Sequence, residues 1–157
     1  MDITIKEVEV KQKEILERLL QLYLHNVSLN FSMEFDSNTG MYGYDDISKY
    51  FENDDNKAFL ILKENEIAGF MLVDIIDNKK IIQEMFVLNN YKRKGVGKTA
   101  VSLVFEKYKG DWEIKSLPCS ENAEKFWISA VKEYTKDNFN LEYIGKFNRA
   151  VLTFNNE

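Results

Sequence analysis

The sequence predicts an α/β fold in which a mixed, mostly antiparallel sheet carries helices on both faces, and three patterns predict it. Ala58–Leu62, Ile67–Ile76 and the run from Ile81 to Leu88 are apolar segments parted by the polar turns Glu64-Asn65 and Asp77-Asn78, which reads as an antiparallel meander. The run from Ile81 then passes through a polar loop and a helical stretch into Trp112–Leu117, a β-loop-α-β unit whose two strands should be parallel with a right-handed crossover. Two segments carry apolar residues at helical spacing: Ile15, Leu19, Leu22 and Tyr23 in one, and Ala123, Phe126, Trp127, Ala130, Val131 and Tyr134 in the other. Strands of this pattern with amphipathic helices between them bury their apolar sides as layers.

Taken in order, Ile3-Thr4-Ile5 is a short strand that leads into a helix from about Gln12 to Val27. His25 lies late in that helix without a second His, a Cys or an Asp at ligand spacing, so no metal site is expected, and it should be exposed or interact with the helix dipole. From Ser28 to Asn56 the periodicity stops, yet Phe31, Phe35, Tyr42, Tyr44, Tyr50 and Phe51 are too many rings for a loose loop. The segment is expected to pack over the sheet, with a short helix near Asp46–Glu52, and to form part of a pocket wall. After the meander, a helix from about Lys98 to Lys109 is stopped by Gly110, and Pro118 ends the strand that follows. Ser120 is a good N-cap for the next helix, with Glu121 and Glu124 in its first turn. Leu141–Phe147 and Ala150–Phe154 close the chain as a hairpin around Asn148-Arg149, whose exposed strands leave room for a homodimer.

Composition narrows the classes of function. The 157 residues, 45% hydrophobic, are expected to form one domain over 1–157 with one sizeable core. A net charge of −5 argues against a general nucleic-acid partner, whose affinity comes from neutralising phosphates. The single cysteine, Cys119, excludes an internal disulfide framework, and no apolar run is long enough for a start-transfer or membrane segment, so a soluble cytoplasmic protein is expected. Charge is segregated: between Ser28 and Lys57 seven acids face two bases, a rim suited to a cationic substrate.

The stretch organised for chemistry runs from Lys92 to Thr99. A glycine-containing turn at the start of a helix collects free backbone N–H groups at the positive end of the helix dipole and favours phosphate, and Lys92, Arg93 and Lys94 add charge. The glycines are expected because a Cβ would block either a positive φ or the approach of an anion. Gly97-Lys98-Thr99 matches the end of a Walker A loop, but that loop needs a glycine where Lys92 stands. Gly95-x-Gly97-x-x-Ala100 passes as a dinucleotide fingerprint, but such a domain opens with its glycine turn, whereas here a meander precedes it.

Tyr91-Lys-Arg-Lys-Gly-Val-Gly97, following an apolar strand and opening a helix, resembles the pyrophosphate-binding motif [Q/R]-x-x-G-x-[G/A] of the GNAT superfamily of N-acetyltransferases. Gln21-Leu-Tyr-Leu24, Ile67–Val73, Glu84–Val87 and Ala123–Trp127 extend the resemblance over nearly the whole chain. It implies a GNAT-like acyl-CoA N-acyltransferase fold and an enzyme that moves the acetyl group of acetyl-CoA to a primary amine, on a small molecule or a lysine side chain. Lys92, Arg93, Lys94, Gly95, Val96, Gly97, Lys98 and Thr99 would hold the CoA pyrophosphate, Phe86 and Val87 the pantetheine arm, and Asn122 would reach CoA from the next helix. Lys92 stands where the family has Gln or Arg, and Ser120 where its asparagine usually lies.

Acetyl transfer needs a neutral amine, and Glu84, one pleat before the pantetheine positions and the only acid on its strand, is the candidate base. Many family members protonate the leaving thiolate with a tyrosine where this chain has Trp127. Tyr134, Cys119 or a water would then serve, or the thiolate would leave unassisted. The alternative to an enzyme is a catalytically silent acyl-CoA-binding or sensing module.

Overall fold

Two-residue turns in which both residues take positive φ match the twist of antiparallel strands, and three of the four residues that this chain places in its two such turns are Asn or Asp. Glu64 and Asn65 (φ 51° and 68°) and Asp77 and Asn78 (φ 52° and 66°) join three long strands, β4 (Asn56–Lys63), β5 (Glu66–Ile76) and β6 (Lys79–Val87). The computed structural model describes residues 2–157. Before the meander lie β1 (Ile3–Glu7), α1 (Lys13–Val27), a small hairpin of β2 (Phe35–Asp36) and β3 (Met41–Tyr42), and the one-turn α2 (Lys49–Glu52). After it come α3 (Val96–Lys107), β7 (Asp111–Lys115), α4 (Glu121–Thr135), β8 (Asn140–Ile144) and β9 (Arg149–Asn155).

The large sheet has the order β1-β4-β5-β6-β7-β9-β8. Only β6 and β7 run parallel, as the crossover through α3 requires; every other neighbouring pair is antiparallel. Each face has its own core. On one, α3 and α4 pack Val101, Val104, Phe105 and Val131 against Phe59, Trp112 and Ile114. On the other, α1 lays Leu16, Leu20 and Tyr23 on Leu60, Phe70 and Leu72. The mostly antiparallel sheet with helices on both faces is as the sequence predicts.

The segment from Ser28 to Asn56 departs from expectation in detail. It holds a two-stranded hairpin that the sequence does not announce, because strands of two residues are too short for any period to register. Its helix is confined to Lys49–Glu52. The segment is nevertheless fastened down: Ile47 and Tyr50 are buried under α1, and the Gln21 amide bonds Tyr42 in both directions, Nε2 donating to the carbonyl at 2.9 Å and Oε1 accepting the N–H at 2.8 Å. His25, exposed as expected, pairs Nδ1 with the Tyr42 hydroxyl at 2.8 Å.

Candidate active site

A parallel pair of strands that separates partway leaves backbone groups with no partner in the sheet, and β6 and β7 do this. Their register lasts three residues, Lys80↔Trp112, Ile81↔Glu113 and Ile82↔Ile114. Beyond it β7 leans toward β9, where Lys115 pairs Val151 and the Ser116 N–H donates to the Ala150 carbonyl at 2.9 Å. Strand β6 instead follows β5 as far as Val87↔Gly69. The β7-facing edge of β6 is therefore open from Gln83 to Val87, where Phe86 and Val87 are the expected thioester-arm positions.

After β6 the chain enters the turn that is expected to hold phosphate. Lys92, Arg93, Lys94, Gly95 and Lys98 are exposed, Gly97 and Thr99 are half-buried, and Val96 alone is buried, anchoring the turn to the core. Gly95 caps α3 at φ 76°, the left-handed conformation that the turn requires, and Arg93 also adopts it at 62°. No side chain caps α3, and Thr99 donates to the Gly95 carbonyl at 3.1 Å, so the amides ahead of it have no acceptor in this turn.

Gly97 also answers to packing. Its φ is not left-handed, and a Cβ on it would lie 3.0 Å from Cε1 of Phe126 and 3.3 Å from the Met85 methyl, so its hydrogen sets how closely α3 packs on α4. A second glycine, which sequence reasoning passes over, is more constrained. A Cβ on Gly69 would fall 2.0 Å from the Phe86 carbonyl oxygen, so only glycine lets the β6 backbone cross β5 where its edge opens.

A β-bulge aims the candidate base. Leu72 pairs Glu84 and Val73 pairs Ile82, which leaves Gln83 as an extra residue on β6. Because side chains alternate along a strand, this insertion turns Glu84 away from the α3/α4 face of Ile82 and onto the α1 face, beside Phe86. There Tyr23 packs beside it, its ring 5.8 Å from Phe70 and 6.0 Å from Phe86 between centroids. Burial pushes the Glu84 carboxyl up to about 7; the Tyr23 hydroxyl and the Arg149 guanidinium pull against this, and Asp74 adds to it. Burial raises Tyr23, Tyr44 and Tyr50 as well, with the charge of Glu84 contributing to all three.

Asp74 is itself buried on this face. It accepts from Asn56 Nδ2 at 2.9 Å and pairs Lys49 Nζ at 3.9 Å. Sequence reasoning treats Asp74 only as the break in an apolar run; a lone acid inside a strand otherwise apolar on both faces is the signal that could have found it. Tyr23, Tyr44 and Arg149 carry no such signal. Around the rim, a cleft of about 190 Å³ lies between α1 and residues 41–47, walled by Leu20, Met41, Tyr42 and Tyr44 with Glu17, Asp45 and Asp46 at its border. A wider depression of about 410 Å³ lies on the solvent face of α4 by Lys132 and Lys136, away from Glu84, and its charged helix surface offers no such chemistry.

The remaining expected positions lie on α4. Ser120 caps it, its Oγ accepting the Ala123 N–H at 3.1 Å. Asn122 is exposed in the first turn, one turn ahead of the Phe126 that packs on Gly97, and so on the side of the phosphate turn. Trp127 is 8% exposed and belongs to the core. Tyr134 is not an available acid: its hydroxyl donates to Glu106 Oε1 at 2.5 Å and accepts from Asn156 Nδ2 at 3.1 Å, at the end of α3 opposite the turn, about 15 Å along the helix from Val96. Cys119 is exposed in the loop before α4. Among the described residues no His, Cys, Asp or Glu cluster could hold a metal ion, and no helix is long and apolar enough to cross a membrane.

The parallel strands part beside an uncapped helix N-terminus, which leaves backbone groups free for an extended ligand that carries phosphate. Residues 18–129 match the model of the acetyltransferase (GNAT) family, and the chain belongs to that family. Among solved structures it is similar to an acetyltransferase from Thermus thermophilus (13% identity, TM-score 0.71, covering 99% of this chain and 98% of that one). It is also similar to the PaiA N-acetyltransferase of Thermoplasma acidophilum in complex with coenzyme A (15%, 0.62, 99% and 100%) and to an acetyltransferase of Bacillus subtilis in complex with CoA (16%, 0.62, 99% and 100%). At such identities the likeness shows the fold. No curated protein matches the sequence.

Proposed function

We propose that the protein is an N-acetyltransferase that moves the acetyl group of acetyl-CoA to a primary amine. The observation that carries this reading is the shared location of three features: the open β6 edge, the uncapped start of α3 reached from it through residues 88–95, and a half-buried carboxylate on the same strand. Amides around residues 93–98 would take the pyrophosphate, with Lys92 and Arg93 as flanking charges and Asn122 reaching in from α4. The edge at Phe86 and Val87 would hydrogen-bond the pantetheine arm and lay the thioester along the cleft. Two of the similar structures are complexes with CoA, which supports CoA as the carrier.

The amine arrives on the α1 side as an ammonium, and Glu84 takes its proton. With its carboxyl pushed up to about 7 by burial, Glu84 is both ionised enough to accept that proton near neutral pH and basic enough to hold it. The neutral nitrogen attacks the thioester carbonyl, the C–N bond forms, the C–S bond breaks as the thiolate leaves, and the second proton of the nitrogen is lost to water. With Tyr134 engaged elsewhere and Trp127 in the core, the thiolate takes its proton from water or departs as the anion, which a thiol pKa near 8.5 permits. The acids of residues 28–57, all on the surface, favour a cationic acceptor, a small amine or a lysine side chain.

One observation favours a second reading, a silent acyl-CoA-binding module: no described tyrosine on α4 faces the cleft. Two measurements separate them. Acetyl-CoA binding by calorimetry is expected under both, whereas free-thiol release across a broad amine panel is expected only for the enzyme. Binding without release on any amine sinks the enzymatic reading, and absence of binding sinks both.

A further inference from the structure

The arginines of this chain are placed differently. Arg18 is an exposed helix residue paired with Glu14 at 2.7 Å, and Arg93 stands exposed in the turn before α3. Arg149 is half-buried at the start of β9 and pairs with no carboxylate among the described residues, Glu84 included. Its Nε donates to the Ser116 carbonyl at 2.8 Å, which lays the side chain against the end of β7. No described group accepts from its two terminal nitrogens, and neither is sealed from solvent. Holding a guanidinium partly out of water without a counter-ion is costly, and its planar fork of donors matches a carboxylate.

Register places that fork across the opening from Glu84. Ala150, Leu152 and Phe154 point into the α3/α4 core, so Arg149, which alternates with them, points to the α1 face. The bulge at Gln83 puts Glu84 on the same face of β6. Extending the register Ile82↔Ile114 by two residues brings Glu84 level with Ser116, the residue that holds Arg149. A carboxylate and a guanidinium thus stand on facing banks where β6 and β7 part, their main chains two strand spacings apart, at least about 10 Å. Side chains of that length take up much of the span, so a molecule that meets both carries its ammonium and its anion a few ångströms apart.

Resting on the reading of Glu84 as base, we propose that Arg149 is the carboxylate site for the acceptor, and that the acceptor is a free amino acid with its α-amine at Glu84 and its carboxylate on the Arg149 guanidinium. Fixing both ends of the molecule orients the nitrogen toward the thioester. An amino acid with a second, basic group also suits the acidic surface of residues 28–57, so lysine is the first probe.

The test pairs each amino acid with the amine left when its carboxylate is removed: lysine with cadaverine, and leucine with isoamylamine. In nitrogen-15 NMR of the full chain saturated with CoA, the Arg149 Nε–H signal, assigned by its loss in Arg149→Gln, should shift on titration with lysine and leucine and stay in place with the two amines. Thiol release from acetyl-CoA should give each amino acid a kcat/KM about 10- to 100-fold above that of its partner amine, the scale of a charge-assisted contact. Arg149→Gln, whose amide nitrogen stands as many bonds from the backbone as Nε, should remove most of that ratio, which a fault confined to the β7–β9 junction would leave in place. An Arg149 signal unmoved by both amino acids, or moved as far by the amines, overturns the proposal, as does a ratio near one in the unchanged chain; thiol release from the amines would then leave the acetyltransferase reading standing. A shift with the amino acids alone, without thiol release on any amine, would keep the carboxylate site and remove the enzymatic reading.

Discussion

Under the proposed function the cleft has a carrier side and an acceptor side, and the two are built by different means. The carrier side, from the β6 edge to the start of α3, is backbone: open strand groups, uncapped amides and a left-handed glycine, supplied by residues 83–98 in one continuous run. The acceptor side is side chain: Glu84, Tyr23, Asp74 and Arg149 meet under α1 from four elements and from positions 126 residues apart. A backbone site tolerates changes of side chain and fails when the chain path changes. A side-chain cluster should do the opposite, losing chemistry to an isosteric change that leaves binding alone.

The largest break in that comparison is expected from Glu84→Gln. Removing a general base typically costs 10²–10⁴-fold, so thiol release at saturating acetyl-CoA should fall by about that factor while calorimetric CoA affinity stays within about twofold. Loss of CoA affinity by the same variant would show that Glu84 belongs to the carrier side. The same substitution should alter stability with pH. The folded chain holds the Glu84 proton up to about 7 against an ordinary 4.5, so the penalty for ionising it is absent below pH 4.5 and complete above 7. Glu84→Gln should therefore melt like the parent at pH 4 and above it at pH 8, by a difference on the order of 3 kcal/mol at most.

The carrier side is reached through the chain path. Gly97→Leu must displace Phe126 or Met85 and tilt α3 from α4, and CoA affinity should fall on the order of 10- to 100-fold, with Glu84 titrating as before. Gly69→Ala presses on the Phe86 carbonyl, so it should lower the melting temperature and raise KM for acetyl-CoA more than KM for the amine. Equal rises in both KM values would mean that the strand edge does not set the thioester's position.

This division also explains what the sequence discloses. Helices, meander, crossover and phosphate turn follow local rules of period, turn chemistry and glycine placement, and they can be read from Ile3 to Phe154 with boundaries off by a few residues. Glu84 can be picked because it lies on the strand that the turn identifies. The rest of the acceptor side has no local signature: Tyr23 reads as one more member of an apolar stripe, and Arg149 as a hairpin residue. What brings them to Glu84 is a single inserted residue, Gln83, and a sheet order in which β9 returns beside β7. Neither is encoded within a window of ten residues.

The smallest expected effect makes the sharpest test of a backbone-built carrier side. Lys92 is the residue by which this chain departs from the Gln or Arg of the motif it resembles, and its ammonium is exposed, 5.9 Å from the Phe86 ring centroid. If the amides at the start of α3 supply the grip, an exposed lysine adds only a screened attraction, worth about 1 kcal/mol or less. Lys92→Ala should then weaken CoA binding about two- to fivefold at low salt, with the difference fading as the ionic strength approaches about 1 M. Lys92→Arg, despite its fork of donors, should gain no more than about twofold. A loss of about 100-fold in Lys92→Ala, persisting at high salt, would mean that a side chain rather than the helix start holds the diphosphate, and the contrast between the two sides of the cleft would not stand.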